Sequence, residues 1–200
     1  MRPAFLLIFA KPPRIGISKT RLARGLGAAE ARRIAAFTLA RTLRAARASR
    51  LPTRVCAAPD AVVRDRGAAR LFGGFTLAPQ GPGGLTQRLT RAFGAAPCGP
   101  VLFIGADAPD ISPARLRSAV SGLRRHDAVF GPARDGGFWL FGLHKGPRTR
   151  APFDDVRWSG PHAMEDVRSR LAAQSRIGLL DMLIDIDEAG DWADWLRRKG

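Results

Sequence analysis

Short apolar runs alternate with helical stretches along the whole chain. Phe5-Leu6-Leu7-Ile8-Phe9 is apolar at every position, as a strand covered on both faces of a parallel sheet must be. From Ala28 to about Ala48 no Gly or Pro interrupts a helical pattern, and Arg41, Arg44 and Arg47 share one of its faces. Thr53 to Ala58 reads as a strand, Ala61 to Leu71 as a helix, and Phe75-Thr76-Leu77-Ala78 as a third strand. Leu85 to Phe93 is helical. Val101-Leu102-Phe103-Ile104 is the strongest strand in the chain. Ser112 followed by Pro113 starts a helix with Leu116, Val120 and Leu123 on its buried face. Ala128 to Phe130 and Phe138 to Leu143 are further strands, and His162 to Ala173 reads as a helix. The tail closes on a helix with Trp192, Trp195 and Leu196 on one face.

Strand and helix in alternation predict an α/β architecture, a mostly parallel sheet with helices on both sides. Ligands of such sheets bind beyond the carboxyl ends of the strands. The loops after the first, third and fourth strands should therefore open on one edge. They carry Lys19 and Arg21, then Gln80 and Arg88, then Asp107.

Two hundred residues, 46% of them apolar, suit a single domain spanning 1–200, and 25% charged residues argue against disorder. The net charge of +16 invites a nucleic-acid reading, yet nearly all the bases are arginines, as expected of solvated surface. Cys56 and Cys98 are too few for a disulfide scaffold, so a cytoplasmic setting is the simplest expectation. The apolar opening Ala4 to Ala10 is too short for a membrane span, and Lys11-Pro12-Pro13 follows it where a signal-peptide cleavage site would stand.

Three segments carry candidate chemistry. The loop Lys11 to Leu22, with Gly16, Lys19 and Arg21, has the composition of a phosphate cradle or of a basic surface loop. It is not a Walker A loop, because Ser18 stands where the second glycine belongs. Asp107 directly follows the most apolar strand. A carboxylate there needs a cation or donors, and Mg²⁺ held by one carboxylate and phosphate oxygens would serve, as would a turn cap before Pro109. The tail from Asp181 to Asp194 gathers six of the 17 acidic residues. It is no EF-hand, since Ala189 and Leu196 stand at ligand positions, but Asp185 or Asp187 can supply a second metal carboxylate, and arginine pairing or capping explains the cluster equally well. No His-Glu-x-x-His or Gly-x-Ser-x-Gly occurs. Asp135-Gly136-Gly137 also fits a plain tight turn.

Taken in order, Phe9-Ala10-Lys11-Pro12 with Gly16 and Lys19-Thr20-Arg21-Leu22, Gln80-Gly81 with Leu85 and Arg88, Ile104-Gly105-Ala106-Asp107-Ala108-Pro109, Gly131-Pro132-Ala133 with Asp135-Gly136-Gly137-Phe138-Trp139-Leu140, Trp158-Ser159 and Asp185-Ile186-Asp187 form a set. With that set the chain resembles a bacterial family of glycosyltransferase-like proteins in the GT-A, or nucleotide-diphospho-sugar transferase, superfamily. That family is related to phospholactate guanylyltransferase and the molybdopterin nucleotidyltransferases. The resemblance implies a GT-A (Rossmann-like) three-layer α/β/α sandwich. It implies that Lys19 and Arg21 meet nucleotide phosphates, that Gln80 and the backbone of Gly83 and Gly84 read the base edge, and that Lys11, Gly16 and Arg88 also bind the nucleotide. Asp107 would hold Mg²⁺ or Mn²⁺, with Asp187 as the second ligand, and Lys19, Arg21 and Asp107 would carry catalysis. Asp135, Gly136, Gly137, Trp158 and Ser159 would line the acceptor side. The chain departs from the family at Phe138, usually Tyr, at Gly160, usually Thr, and in having Asp107-x-x-Asp110 rather than Asp-x-Asp.

The implied activity is nucleotidyl transfer from an NTP to a small phosphorylated or hydroxyl acceptor, or glycosyl transfer from a nucleotide sugar. The competing class is a basic, catalytically silent domain binding nucleic acid or phospho-ligands, which leaves Asp107 unexplained and lacks an aromatic stacking surface. Neither a specific nucleic acid nor a membrane is an expected partner.

Overall fold

The all-apolar run near the start becomes an interior strand because both of its faces find a core. The computed structural model describes residues 3–199. Its strands are β1 (Phe5–Ala10), β2 (Thr53–Ala57), β3 (Thr76–Pro79), β4 (Gly99–Gly105), β5 (Ala128–Pro132), β6 (Phe138–Lys145) and β7 (Ile177–Leu179). They form one sheet in the order β3-β2-β1-β4-β6-β5-β7. β1 pairs in parallel with β2 and β4, β2 with β3, and β5 with β7, while β6 runs antiparallel between β4 and β5. The sheet is thus mostly parallel.

Alternate side chains of each strand point to opposite faces. Leu6, Ile8, Leu102 and Ile104 enter one core, and Leu7, Val101 and Phe103 enter the other. Helices α2 (Ala28–Ser49) and α5 (Pro113–Gly122) cover the first face through Leu39, Leu43, Leu116 and Ala119. Helices α4 (Leu85–Gly94) and α6 (Ala163–Ser169) cover the second through Leu89, Phe93 and Val167. A third cluster joins α1 (Thr20–Leu26) and α7 (Ala189–Arg197), where Leu22, Ile34, Ile186 and Trp195 meet. Among the described residues no helix is long and apolar enough to cross a membrane.

Ser112 caps α5 as expected, accepting the Arg115 N–H at 3.2 Å. Other expectations need correction. The segment Ala61 to Leu71 is a 3₁₀ turn, Asp60–Val63, followed by α3 (Arg66–Leu71), because Asp65 Oδ1 takes the Gly67 N–H and starts a new helix. The helix expected from His162 to Ala173 ends at Ser169, whose hydroxyl turns back to the Asp166 carbonyl. On the last helix Trp195 is buried, but Leu196 is exposed. Of the three arginines that share one face of α2, two are tied to other segments of the chain. Arg41 donates to the Pro109 carbonyl and Arg47 to that of Gly73, while Arg44 faces solvent. At the other end of the sheet Lys145 Nζ donates to the carbonyls of Phe93, Gly94 and Ala96, at 2.7, 2.7 and 2.6 Å, and closes the carboxyl end of α4.

Candidate functional site

The chain runs outward from β1 through β2 to β3 and then crosses back to place β4 on the other side of β1. The loops after β1 and β4 diverge at that switch and leave a crevice at the carboxyl end of the sheet. A pocket of about 540 Å³ fills it. The first loop enters from one side, and Lys19 closes it in the left-handed region, φ 55°, as the residue before α1. This conformation is uncommon for a side-chain-bearing residue. It turns the ammonium inward, so that only 6% of the Lys19 side chain is exposed.

Lys19 Nζ pairs with Asp107 Oδ1 and lies 3.0 Å from Asp187 Oδ1. Arg21 Nη2 holds the other Asp187 oxygen at 2.8 Å. Burial alone would lower the Lys19 pKa, but the two carboxylates outweigh it and the ammonium is held above its ordinary value. Asp107 sits at the end of β4 and Asp187 just before α7, with the backbone N–H of Ile186 donating to the Asp107 carbonyl at 3.0 Å. That bond locks the two acidic segments together. Asp185 lies beside them. Burial, and then the charges of Asp135, Asp187 and Asp107, push its carboxyl up to about 7.

The oxygen donors fit a hard divalent cation. Negative charge has accumulated until one carboxyl resists ionisation, and Asp107 and Asp187 remain partly exposed on the pocket. Among the described residues no three His, Cys, Asp or Glu side chains form a closed metal cage. Ser18 Oγ is buried on the same loop with no hydrogen-bond partner, a donor available to a ligand oxygen.

The pocket brings together Lys11, Lys19, Arg21, Gln80, Arg88 and Asp107. Asp135, Gly137, Trp158, Ser159 and Asp187 line it as well. Gly16, Gly83, Gly84 and Gly136 are outside the lining. Gly16 is an exposed turn residue. Gly83 turns its carbonyl to Arg88 Nε at 2.9 Å. Gly136, at φ +87°, is wedged against Pro161 and anchors the turn rather than the ligand. Gln80 borders the pocket, but its amide is engaged: Nε2 donates to the Cys56 carbonyl at 2.8 Å and Oε1 accepts Arg88 Nη1 at 3.3 Å. It positions Arg88 rather than offering a free edge. Thr86 was not legible as part of the site. Its hydroxyl accepts the Trp158 indole N–H at 2.8 Å and fixes that ring against α4, and only the contact across 72 positions reveals it.

The fold is shared with solved transferases. A protein of Desulfovibrio desulfuricans G20 with the provisional name nucleotide-diphospho-sugar transferase is 27% identical, with a TM-score of 0.87 over 100% of this chain and 88% of that one. Rv0371c of Mycobacterium tuberculosis H37Rv, solved with manganese, is 16% identical, with a TM-score of 0.57 over 98% and 99%. The 4-diphosphocytidyl-2C-methyl-D-erythritol synthase of Anaerococcus prevotii DSM 20548 is 11% identical, with a TM-score of 0.62 over 98% and 99%. No curated protein matches the sequence. The family model described as "Uncharacterized protein conserved in bacteria (DUF2064)" matches residues 39–160, from the middle of α2 to the loop before α6, and the chain belongs to that family, on the fold of the nucleotide-diphospho-sugar transferases.

Proposed function

We propose that the protein is a divalent-metal-dependent transferase that uses a nucleotide, either an NTP or a nucleotide sugar, and a small-molecule acceptor. The observation that carries this reading is Lys19, buried between Asp107 and Asp187 at the carboxyl ends of β1 and β4. A buried cation flanked by two carboxylates at a sheet's switch point is suited to exchanging partners when an anion and a metal arrive.

Asp107 and Asp187 would hold the metal, Mg²⁺ or Mn²⁺, which when bound supplies charge neutralisation for a diphosphate. Lys19, released from its carboxylates, would meet phosphate oxygens with Arg21 and Lys11, and Ser18 Oγ would add a neutral donor. Arg88, held by Gln80 and Gly83, faces the same pocket as the apolar Leu85 and Leu89, which fits a base edge above an apolar floor. Chemistry of this kind rests on positioning and charge. The transferase name of the Desulfovibrio relative and the manganese in the Rv0371c structure support the same reading.

A thermal-shift panel of NTPs and nucleotide sugars, with and without Mg²⁺, tests it. A ligand that binds only the folded state must raise the midpoint. At least one nucleotide should do so, more strongly with Mg²⁺, and no response across the panel would remove the proposal.

A further inference from the structure

Helices α2 and α5 lie side by side on one face of the sheet. Each leaves the carboxyl end of a strand, β1 or β4, and leads to the amino end of a strand parallel to it, so the two run in the same direction. Arg41 on α2 donates to the Pro109 carbonyl just ahead of α5 and sets their relative level. From there Arg44 and Arg50 continue down α2 and its cap, and Arg117, Arg124 and Arg125 down α5 and the turn after it. All five residues are exposed, and among the described residues none of their side chains has an ion pair, hydrogen bond or ring contact.

No acid answers them. From Ala31 to Pro59 and from Ile111 to His126 the chain has arginines but no Asp or Glu. Asp127, the next acid after α5, is held by Arg176. An arginine-rich composition does not produce this by itself, because around α6 on the other face the same residue type is matched with acids. Arg157 pairs with Asp166, Arg168 with Glu165 and Arg170 with Asp155. The exposed positions interspersed with the free arginines are small: Ala40 and Ala48 on α2, and Ala114, Ser118 and Ser121 on α5. None of the exposed large hydrophobic residues lies on either helix.

We propose that the α2–α5 layer docks the phosphate backbone of double-stranded DNA without reading its sequence. The guanidinium fork matches phosphate oxygens, and the small residues let the backbone come close. A single strand would need aromatic side chains for its bases to stack on, and neither helix exposes one. A helix that adsorbs to a membrane sinks an apolar face into it, but the apolar faces of α2 and α5 are spent on the core. Packed helices stand about 8–10 Å apart. Two arginine rows at that spacing, splayed outward, reach both strands beside the major groove of B-form DNA, about 12 Å wide. In A-form RNA that groove is narrow and deep. The free arginines lie toward the amino ends of the strands, away from the pocket, so this surface is independent of the nucleotide-using reading.

Fluorescence anisotropy of a labelled, mixed-sequence DNA duplex, titrated with the full chain over a series of salt concentrations, tests the proposal. Five arginine–phosphate contacts predict a slope of log K against log salt of about −4 to −5. The triple variant Arg44→Ala, Arg117→Ala, Arg124→Ala should make that slope shallower by about three, and Arg117→Ala alone by about one. Both should melt as the parent does, since these side chains contact nothing. Arg150→Ala, Arg168→Ala, Arg170→Ala removes the same charge from the side of α6 and should keep the parent's slope. Equal losses in the two triple variants would show that net charge binds the DNA, not this face, and would overturn the proposal. So would no DNA binding at low salt, or tighter binding of an RNA duplex, a single strand or phosphatidylserine vesicles than of the DNA duplex.

Discussion

Lys19 Nζ lies 3.0 Å from Asp187 Oδ1, although 168 positions of chain separate the two residues. The contact ties the first loop to the segment before the last helix and leaves a buried ammonium where a nucleotide-bound metal would compete for the same oxygens. Lys19→Met should therefore have opposite effects on two ligands. Nucleotide binding should weaken by about 1.5–3 kcal/mol, the range for a charged hydrogen bond. Binding of Mn²⁺ alone should strengthen, because Asp107 loses its only ion-pair partner among the described residues while Arg21 stays on Asp187. Isothermal titration of each ligand reads both effects, and parallel losses would contradict the competition.

Asp185 gives a pH dependence of known sign. Its folded pKa, about 7, exceeds the ordinary 3.8, so the folded state binds more protons than the unfolded state between those values. Stability in the absence of ligand should fall as pH rises through that window. In Asp185→Asn this contribution disappears. The variant should match the parent near pH 4 and melt higher than the parent at pH 8. Mg²⁺ should shrink the difference by stabilising the ionised carboxylate. A variant less stable than the parent at pH 8 would show that Asp185 is not held against its charge.

Gly136 sits at φ +87°, and a Cβ there would lie 2.4 Å from the Pro161 carbonyl oxygen. Its own carbonyl accepts the Met164 N–H at 3.3 Å, which docks α6 on the turn. Gly136→Ala should cost about 1–3 kcal/mol of stability through backbone strain alone, with the backbone clash adding to it. Chemical denaturation measures this. Since the glycine lies outside the pocket lining, nucleotide affinity should change far less than stability.

Lys145 supplies the control for the opposite end of the sheet. Lys145→Met removes three donated bonds from the end of α4 and should destabilise the fold by about 1.5–3 kcal/mol. The increment in melting temperature on adding nucleotide should stay as in the parent.

The sheet was legible because its central strands are apolar on both faces, a pattern that few other structures produce. β7 was not, since Ile177-Gly178-Leu179 is too short to carry a period and is held by its pairing with Ala128 to Phe130. The placement of Lys19, Arg21, Asp107 and Asp187 around one pocket followed from strand order and resemblance. The engagement of Gln80 with Cys56 and Arg88 did not, because a buried amide chooses its partners from the packed neighbourhood, not from its neighbours in sequence. For the same reason the shared face of Arg41, Arg44 and Arg47 did not reveal that Arg41 and Arg47 donate to carbonyls on other segments.

The central claim is that Asp107 and Asp187 take a divalent cation together with the nucleotide that draws Lys19 away. Calorimetric titration of one responding nucleotide into the parent and into Asp107→Asn, each with Mg²⁺ and with EDTA, tests it most directly. The substitution keeps the shape of the side chain but weakens its hold on a hard cation. The account predicts that Mg²⁺ tightens nucleotide binding in the parent and has little effect in Asp107→Asn, while the two proteins bind alike in EDTA to within about a factor of ten. An equal gain from Mg²⁺ in both proteins would contradict it.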